Sequence, residues 1–363
     1  MELDINLKDG EKKRNICTSK SIPNYLYCIL FLVILLLTTV VLLRLFPNGQ
    51  GDTKEKEEET ILTPWKKYIK AEKYLYLWEY YTPYYILQMC KDHNFTRVYL
   101  YIGAIDEYWD DYYSKDKFPP RGKIGSFDYP IFIKQLNEIN VEVELMVRLG
   151  RNHNDFSKVD RVLKVVNMVK TLSNTVKIKA LHFDQKPRQD QSYEKLLDMY
   201  VKVNEIFPTS AVLLGFWLNV KMVNIQSSFT NSEFYSKFSD CDTLVDAIMK
   251  VTNSTLLMAF NRDYTQVNTF METLKTISKK HPKNEAKNAI EVSNEEGTDD
   301  GDTMYKTFLE DKDTFFNFIY DSSIKYGGIT IHYYEEWYEA LYCSRPDINV
   351  PYEGGEPKHC TQE

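Results

Sequence analysis

Between residues 74 and 334, eight short apolar runs alternate with stretches of helical periodicity, and this alternation limits the possible folds more than any other feature. The runs are YLYLWE (74–79), RVYLYIG (97–103), VEVELMVRL (141–149), IKALHFD (178–184), AVLLGFWLN (211–219), TLLMAF (255–260), NAIEVS (288–293) and GITIHYY (328–334). Their nearly continuous β-branched and aromatic character marks strands buried on both faces. Helical patterns cover 82–93, 129–138, 158–172, 193–206, 263–280 and 303–325, with a shorter helix at 242–251 in the fifth crossover. Strands each followed by a helix make a parallel sheet covered by helices, and eight such units predict an α/β chain folded as a (β/α)8 TIM-type barrel over 73–342. A doubly wound open sheet is the alternative, but it usually has fewer units.

A second constraint lies upstream. Residues 25–43 read YLYCILFLVILLLTTVVLL, without a charge. At 1.5 Å per residue this is about 28 Å, enough for a hydrocarbon core of roughly 30 Å. Lys8, Lys12, Lys13, Arg14 and Lys20 precede it, and the mixed run KEKEEE follows. The positive-inside rule then predicts a type II single-pass anchor. Residues 1–24 form a cytosolic tail, 44–72 a polar stalk, and 343–363 a tail after the barrel. The barrel is expected on the non-cytosolic side, in the Golgi, endoplasmic reticulum or cell surface; a barely spanning helix suits the thinner internal membranes.

An oxidising compartment permits three pairings among Cys90, Cys241, Cys343 and Cys360; Cys343 with Cys360 would tie down the tail. The sequons at Asn94 and Asn253 would meet the glycosylation machinery. A net charge of −7 gives no reason to expect nucleic acid. No HExxH, paired CxxC, P-loop or Gly-x-Ser-x-Gly elbow is present, so neither metal nor cofactor is expected. Oligomeric state is left open.

Catalytic groups of such barrels sit at the C-terminal ends of strands. That rule selects Trp78, Glu79, Arg148, Asp184, Lys186, Trp217, Asn219, Arg262, Asp263, Glu291, Glu295, His332, Tyr334 and Trp337. The set joins carboxylates to aromatic rings in a chain that is 14% aromatic. Aromatic faces stack on the C–H faces of sugars, and carboxylates serve glycosidic cleavage as acid, base or nucleophile. The expected catalytic acids are Asp184 with Glu291 or Glu295; the other selected residues would bind substrate.

The order YLYLWEY, RVYLYIG, ALHFDQKP, LLMAFNRD, AIEVSNEE and GITIHYYEEW resembles a family of exported, mostly uncharacterised TIM-barrel proteins related to glycoside hydrolases. The resemblance spans roughly 74–340 and rests on His182, Asp184, Pro187, Met258, Ala259, Arg262, Asp263, Glu291, Gly328, His332, Tyr334 and Trp337. It implies a glycan ligand and carboxylate chemistry. Where that family carries Glu two residues after the strand-four Asp, this chain carries Lys186. Residues 184 and 186 point to one side of an extended strand. An adjacent ammonium favours a carboxylate's ionised form, whereas a glycosidase acid must hold a proton.

Two readings therefore compete: a glycoside-hydrolase-like enzyme, and a non-catalytic barrel that binds carbohydrate or protein. A Golgi glycosyltransferase, using Asp240-Cys241-Asp242 or Asp300-Gly301-Asp302 as a metal-binding triplet, and a Schiff-base lyase using Lys186 rank behind them.

Overall fold

The computed structural model describes residues 62–78, 82–105, 128–149, 156, 159–187, 192–259, 264–291, 311–332, 337 and 341. The strands are β1 (Lys73–Leu77), β2 (Phe95–Ile105), β3 (Glu142–Leu149), β4 (Ala180–Phe183), β5 (Thr209–Leu214), β6 (Ser254–Met258), β7 (Glu285–Glu291) and β8 (Ile329–His332). They pair in sequence order, all parallel, and β8 returns to β1 to close the barrel. The helices are α1 (Pro64–Lys70), α2 (Pro83–Asp92), α3 (Tyr129–Glu138), α4 (Val159–Leu172) and α5 (Tyr193–Asn204). They continue with α6 (Met222–Ile225), α7 (Ser232–Ser236), α8 (Leu244–Lys250), α9 (Tyr264–Ser278) and α10 (Lys312–Tyr326). The eightfold alternation in the sequence is thus a (β/α)8 barrel.

Local chemistry sets the helix ends. Thr63, Asp128 and Asp311 accept backbone N–H bonds from the first turns of α1, α3 and α10, and Pro64 and Pro130 lie where a helix needs no N–H donor. Gly327 ends α10 in the left-handed region (φ 71°), and Gly328 follows at φ 105°.

Period-two alternation sorts the strand side chains. Leu75, Leu77, Val98, Leu100, Val143, Leu145, Leu181 and Leu213 face outward into the core shared with the helices. Tyr74, Tyr76, Tyr99, Tyr101, Met146, Val212, Leu256, Met258 and Ala289 fill the lumen. The Tyr-Leu alternation of β1 and β2 therefore puts four tyrosines inside the barrel. Part of the chain's aromatic content is thus lumen filling.

One strand differs from expectation. The run 211–219 is not a strand throughout: β5 ends at Leu214, and Gly215–Asn219 is a turn of 3₁₀ helix. A Cβ on Gly215 would meet the Phe270 ring of α9 at 3.0 Å, a tight contact that glycine avoids as the chain leaves the sheet. Residues 25–43 lie outside the described residues; among the described residues no helix is long and apolar enough to cross a membrane. Cys90 and Cys241 are buried free thiols, not a bonded pair, and Cys343 and Cys360 lie outside the described residues.

Candidate functional site

The N-terminal end of the barrel is closed by charge pairs. Arg97 donates to Glu142 (2.6 Å), Glu144 (3.1 Å) and Glu285 (2.9 Å), and Lys179 reaches Glu142 (2.8 Å) and Glu285 (3.0 Å). Burial pushes the Glu285 carboxyl up, but Arg97 and Lys179 outweigh it and hold the group down at about 2.

Above this lies a fully buried polar layer. His182 on β4 bonds at Nε2 to the Tyr76 hydroxyl (2.6 Å) and at Nδ1 to the Ser210 hydroxyl (2.8 Å), with Glu144 at 3.6 Å. Burial opposes the Glu144 charge, yet His182, Arg97 and Ser210 together keep its carboxyl below the ordinary value. His182 uses both ring nitrogens in hydrogen bonds here, and Glu144 is tied to the layer through Arg97 and the longer approach to His182.

The C-terminal mouth is different in kind. Stacked rings rise towards it: Tyr99 on Tyr76 (centroids 4.8 Å apart), then Tyr76 on Trp78 (5.8 Å). Trp78 is only partly buried, and its indole N–H donates to His332 Nε2 (3.0 Å), which leaves the His332 proton on Nδ1. Burial, then the Lys186 ammonium, lowers the His332 pKa to about 3 against a smaller opposing effect of Asp184, so the ring is neutral. Asp184 extends the β3–β4 ladder through its N–H to the Val147 carbonyl (3.0 Å). Its side chain is 0% exposed and meets the Lys186 ammonium at 3.0 Å, as the one-sided spacing predicts. Arg148, at the end of β3, lies over the rings of Tyr101 (5.4 Å) and Trp78 (5.8 Å).

The structure therefore brings together Trp78, Arg148, Asp184, Lys186 and His332. It does not bring in Trp217 or Trp337, the other two tryptophans expected at the site. Trp217 is 0% exposed and turns outward into the helix-facing core beside Tyr193, because the 3₁₀ turn redirects the end of the fifth run. Trp337 is also 0% exposed and packs against Phe95 (5.3 Å) and His93 (5.8 Å), beside the start of β2, at the opposite end of the barrel. Neither presents a face to a ligand at the mouth. Asn219 is exposed at the end of the 3₁₀ turn.

Glu291 ends β7 in register with His332, while its side chain, together with Glu79, Arg262, Asp263, Glu295 and Tyr334, lies outside the described residues. His182 and His332 do not form a metal pair: both rest edge-on to Tyr76, each hydrogen-bonded to a side chain. Among the described residues no cluster could hold a metal ion. Asp240 and Asp242 do not form a shared metal site, since Asp240 pairs with Lys250 (2.6 Å) and Asp242 with Lys280 (2.6 Å); Asp300 and Asp302 lie outside the described residues. Sequence reasoning missed the Arg97–Glu144–His182 layer, although charges at alternate positions of otherwise apolar runs marked it.

No protein-family profile and no curated protein sequence matches the chain. Similar solved structures include a Bacteroides thetaiotaomicron protein assigned as an α-L-fucosidase (10% identity, 77% of this chain and 94% of that one, TM-score 0.49). The spore cortex-lytic enzyme SleL of Bacillus cereus is similar at 9% identity over 73% of this chain and 70% of that one (TM-score 0.44). The xylanase and α-amylase inhibitor XAIP-II of Scadoxus multiflorus is similar at 11% over 72% and 92% (TM-score 0.40). The fold assignment rests on strand order and closure, not on these likenesses.

Proposed function

We propose that the C-terminal mouth of the barrel binds a carbohydrate and that Asp184 donates no proton to it. The observation that carries this reading is the 3.0 Å contact between Lys186 and the fully buried Asp184, beside the partly exposed Trp78. An ammonium in contact stabilises the carboxylate, and a general acid must be both protonated and within reach of the leaving oxygen. Trp78 meanwhile offers the apolar face on which a sugar ring stacks. The test is calorimetric titration of the purified chain with a panel of oligosaccharides, alongside an assay for released reducing ends. Binding that weakens in Trp78→Ala without any turnover supports the reading; turnover by the pure protein sinks it.

A hydrolytic reading has one observation in its favour: the register that sets Glu291 opposite His332 at the end of β7. In that case Asp184 acts as nucleophile or electrostatic partner, with Glu291 or Glu295 as the acid. Loss of turnover in each of Asp184→Asn, Glu291→Gln and Glu295→Gln is its expected signature.

The reading includes a type II anchor at 25–43, a stalk at 44–72 and a lumenal or extracellular barrel, supported by the flanking charges. Asn253 is exposed, its Oδ1 accepts from the Thr209 N–H, and its Nδ2 has no partner among the described residues. The Asn94 amide instead donates to the Lys70 and Ala71 carbonyls. Glycan is therefore expected at Asn253 ahead of Asn94, read as the larger loss of endoglycosidase-sensitive mass in Asn253→Gln. Digestion of the barrel by protease added to intact microsomes would count against this topology.

A further inference from the structure

We propose that the ligand of this mouth is an acidic sugar whose carboxylate or sulfate is bound by Arg148, an inference that rests on the carbohydrate-binding reading. The two half-buried cations described at the mouth are not in the same condition. Lys186 is already matched by Asp184 at 3.0 Å. Arg148 has no carboxylate partner among the described residues, and its Nε is buried without a hydrogen bond. What surrounds it is aromatic: Tyr101 at 5.4 Å and Trp78 at 5.8 Å.

Aromatic faces hold a guanidinium in place without consuming its N–H groups, so its fork stays available to a planar oxyanion. A partly desolvated cation without a counter-ion is unfavourable, and an anionic ligand removes that penalty. His332 adds no competing cation, because it is neutral at the end of its bond from Trp78. The indole proposed to carry the sugar is thus the one that Arg148 contacts. A uronate or sulfated sugar stacked on Trp78 carries its acidic group on the ring or one atom away, within the reach of an adjacent guanidinium.

The experiment compares, by calorimetry on the full chain, trigalacturonate, its methyl ester, and a sulfated heparin tetrasaccharide. The ester keeps the sugar rings and removes the charge. Wild-type protein is expected to bind at least one acidic probe about tenfold to a hundredfold more tightly than the ester, the range for a charge-assisted pair. Arg148→Gln brings that ratio near one, and Arg148→Lys restores part of it. A preference confined to trigalacturonate identifies a carboxylate ligand; one confined to the heparin fragment identifies a sulfate. Binding of both acidic probes no tighter than that of the ester, or a preference that survives Arg148→Gln, overturns the role of Arg148. If ester binding still depends on Trp78, the carbohydrate reading stands. Absence of binding to all three overturns both.

Discussion

Arg97 and Arg148 stand on adjacent strands of one barrel, β2 and β3, and meet opposite surroundings. Arg97, at the N-terminal end, is 3% exposed and held by Glu142, Glu144 and Glu285. Arg148, at the C-terminal end, is half-buried between Trp78 and Tyr101, with no carboxylate partner among the described residues. Barrels of this type place stability at the N-terminal face and chemistry at the C-terminal one. Here that division is visible in how completely each cation is neutralised. A saturated network specifies the fold, and an unsaturated one is free to specify a ligand.

The comparison breaks first in stability. Arg97→Met strands the fully buried Glu144, and removing one partner of a buried pair costs about 3–5 kcal/mol. Arg148→Gln is expected within about 1 kcal/mol of wild type, as for a residue outside such a network. Chemical denaturation of the two variants side by side measures the difference; equal losses would erase the distinction between the two ends.

A smaller loss is expected for Gly328→Ala, where β8 begins. Its φ of 105° disfavours a side chain, and a new Cβ would collide with the Tyr74 ring, whose hydroxyl donates to the Gly327 carbonyl (2.8 Å). Overpacking and backbone strain of this kind cost about 2–4 kcal/mol together. The melting temperature should drop while the ratio of acidic to neutral sugar binding is unchanged in the folded fraction.

At the mouth the readout moves to affinity. Trp78→Ala is expected to weaken oligosaccharide binding by about tenfold, whereas Trp217→Phe and Trp337→Phe change stability and leave affinity alone. A binding defect in Trp337→Phe would place that ring at the wrong end of the molecule.

The smallest effect is in pH dependence. The folded His332 and His93 pKa values are depressed to about 3 and about 4, burial being the main cause in each, from an ordinary 6.5. The unfolded chain therefore binds protons that the folded chain refuses, so their stabilisation is complete above pH 6.5 and falls as pH drops towards 3. Glu285 acts lower, losing its contribution as pH falls from 4.5 towards 2. Melting temperature between pH 7 and 5 should decline less in His332→Gln than in wild type, and an identical slope would contradict the buried neutral ring.

Much of the scaffold was legible in the chain because it is local. Helix α3 falls on the expected 129–138, with its Asp128 cap and Pro130 in the first turn. The Tyr-Leu alternation announced β1 and β2, and the spacing of Asp184 and Lys186 announced their contact, since two residues apart on a strand share a side. Trp217 and Trp337 were illegible for the opposite reason. Each follows the last residue of a strand, at Leu214 and His332, by a few positions, where period-two reasoning no longer applies. The 3₁₀ turn after β5 carries one into the outer core, and the other packs against Phe95.

By itself, then, the sequence determined the eight βα units, the parity of their strands and the pairing of Lys186 with Asp184, because period and spacing act within a few residues. Only the tertiary structure decided which charges are answered. Arg97 meets Glu142, Glu144 and Glu285 from 45, 47 and 188 residues away, and the longest of these contacts exists only once β7 has completed its turn of the barrel. Arg148 meets rings instead, because β2 pairs directly with β3 and β1 with β2, which sets Tyr101 and Trp78 near it. Whether a buried charge finds a partner depends on register across strands, which no local pattern carries.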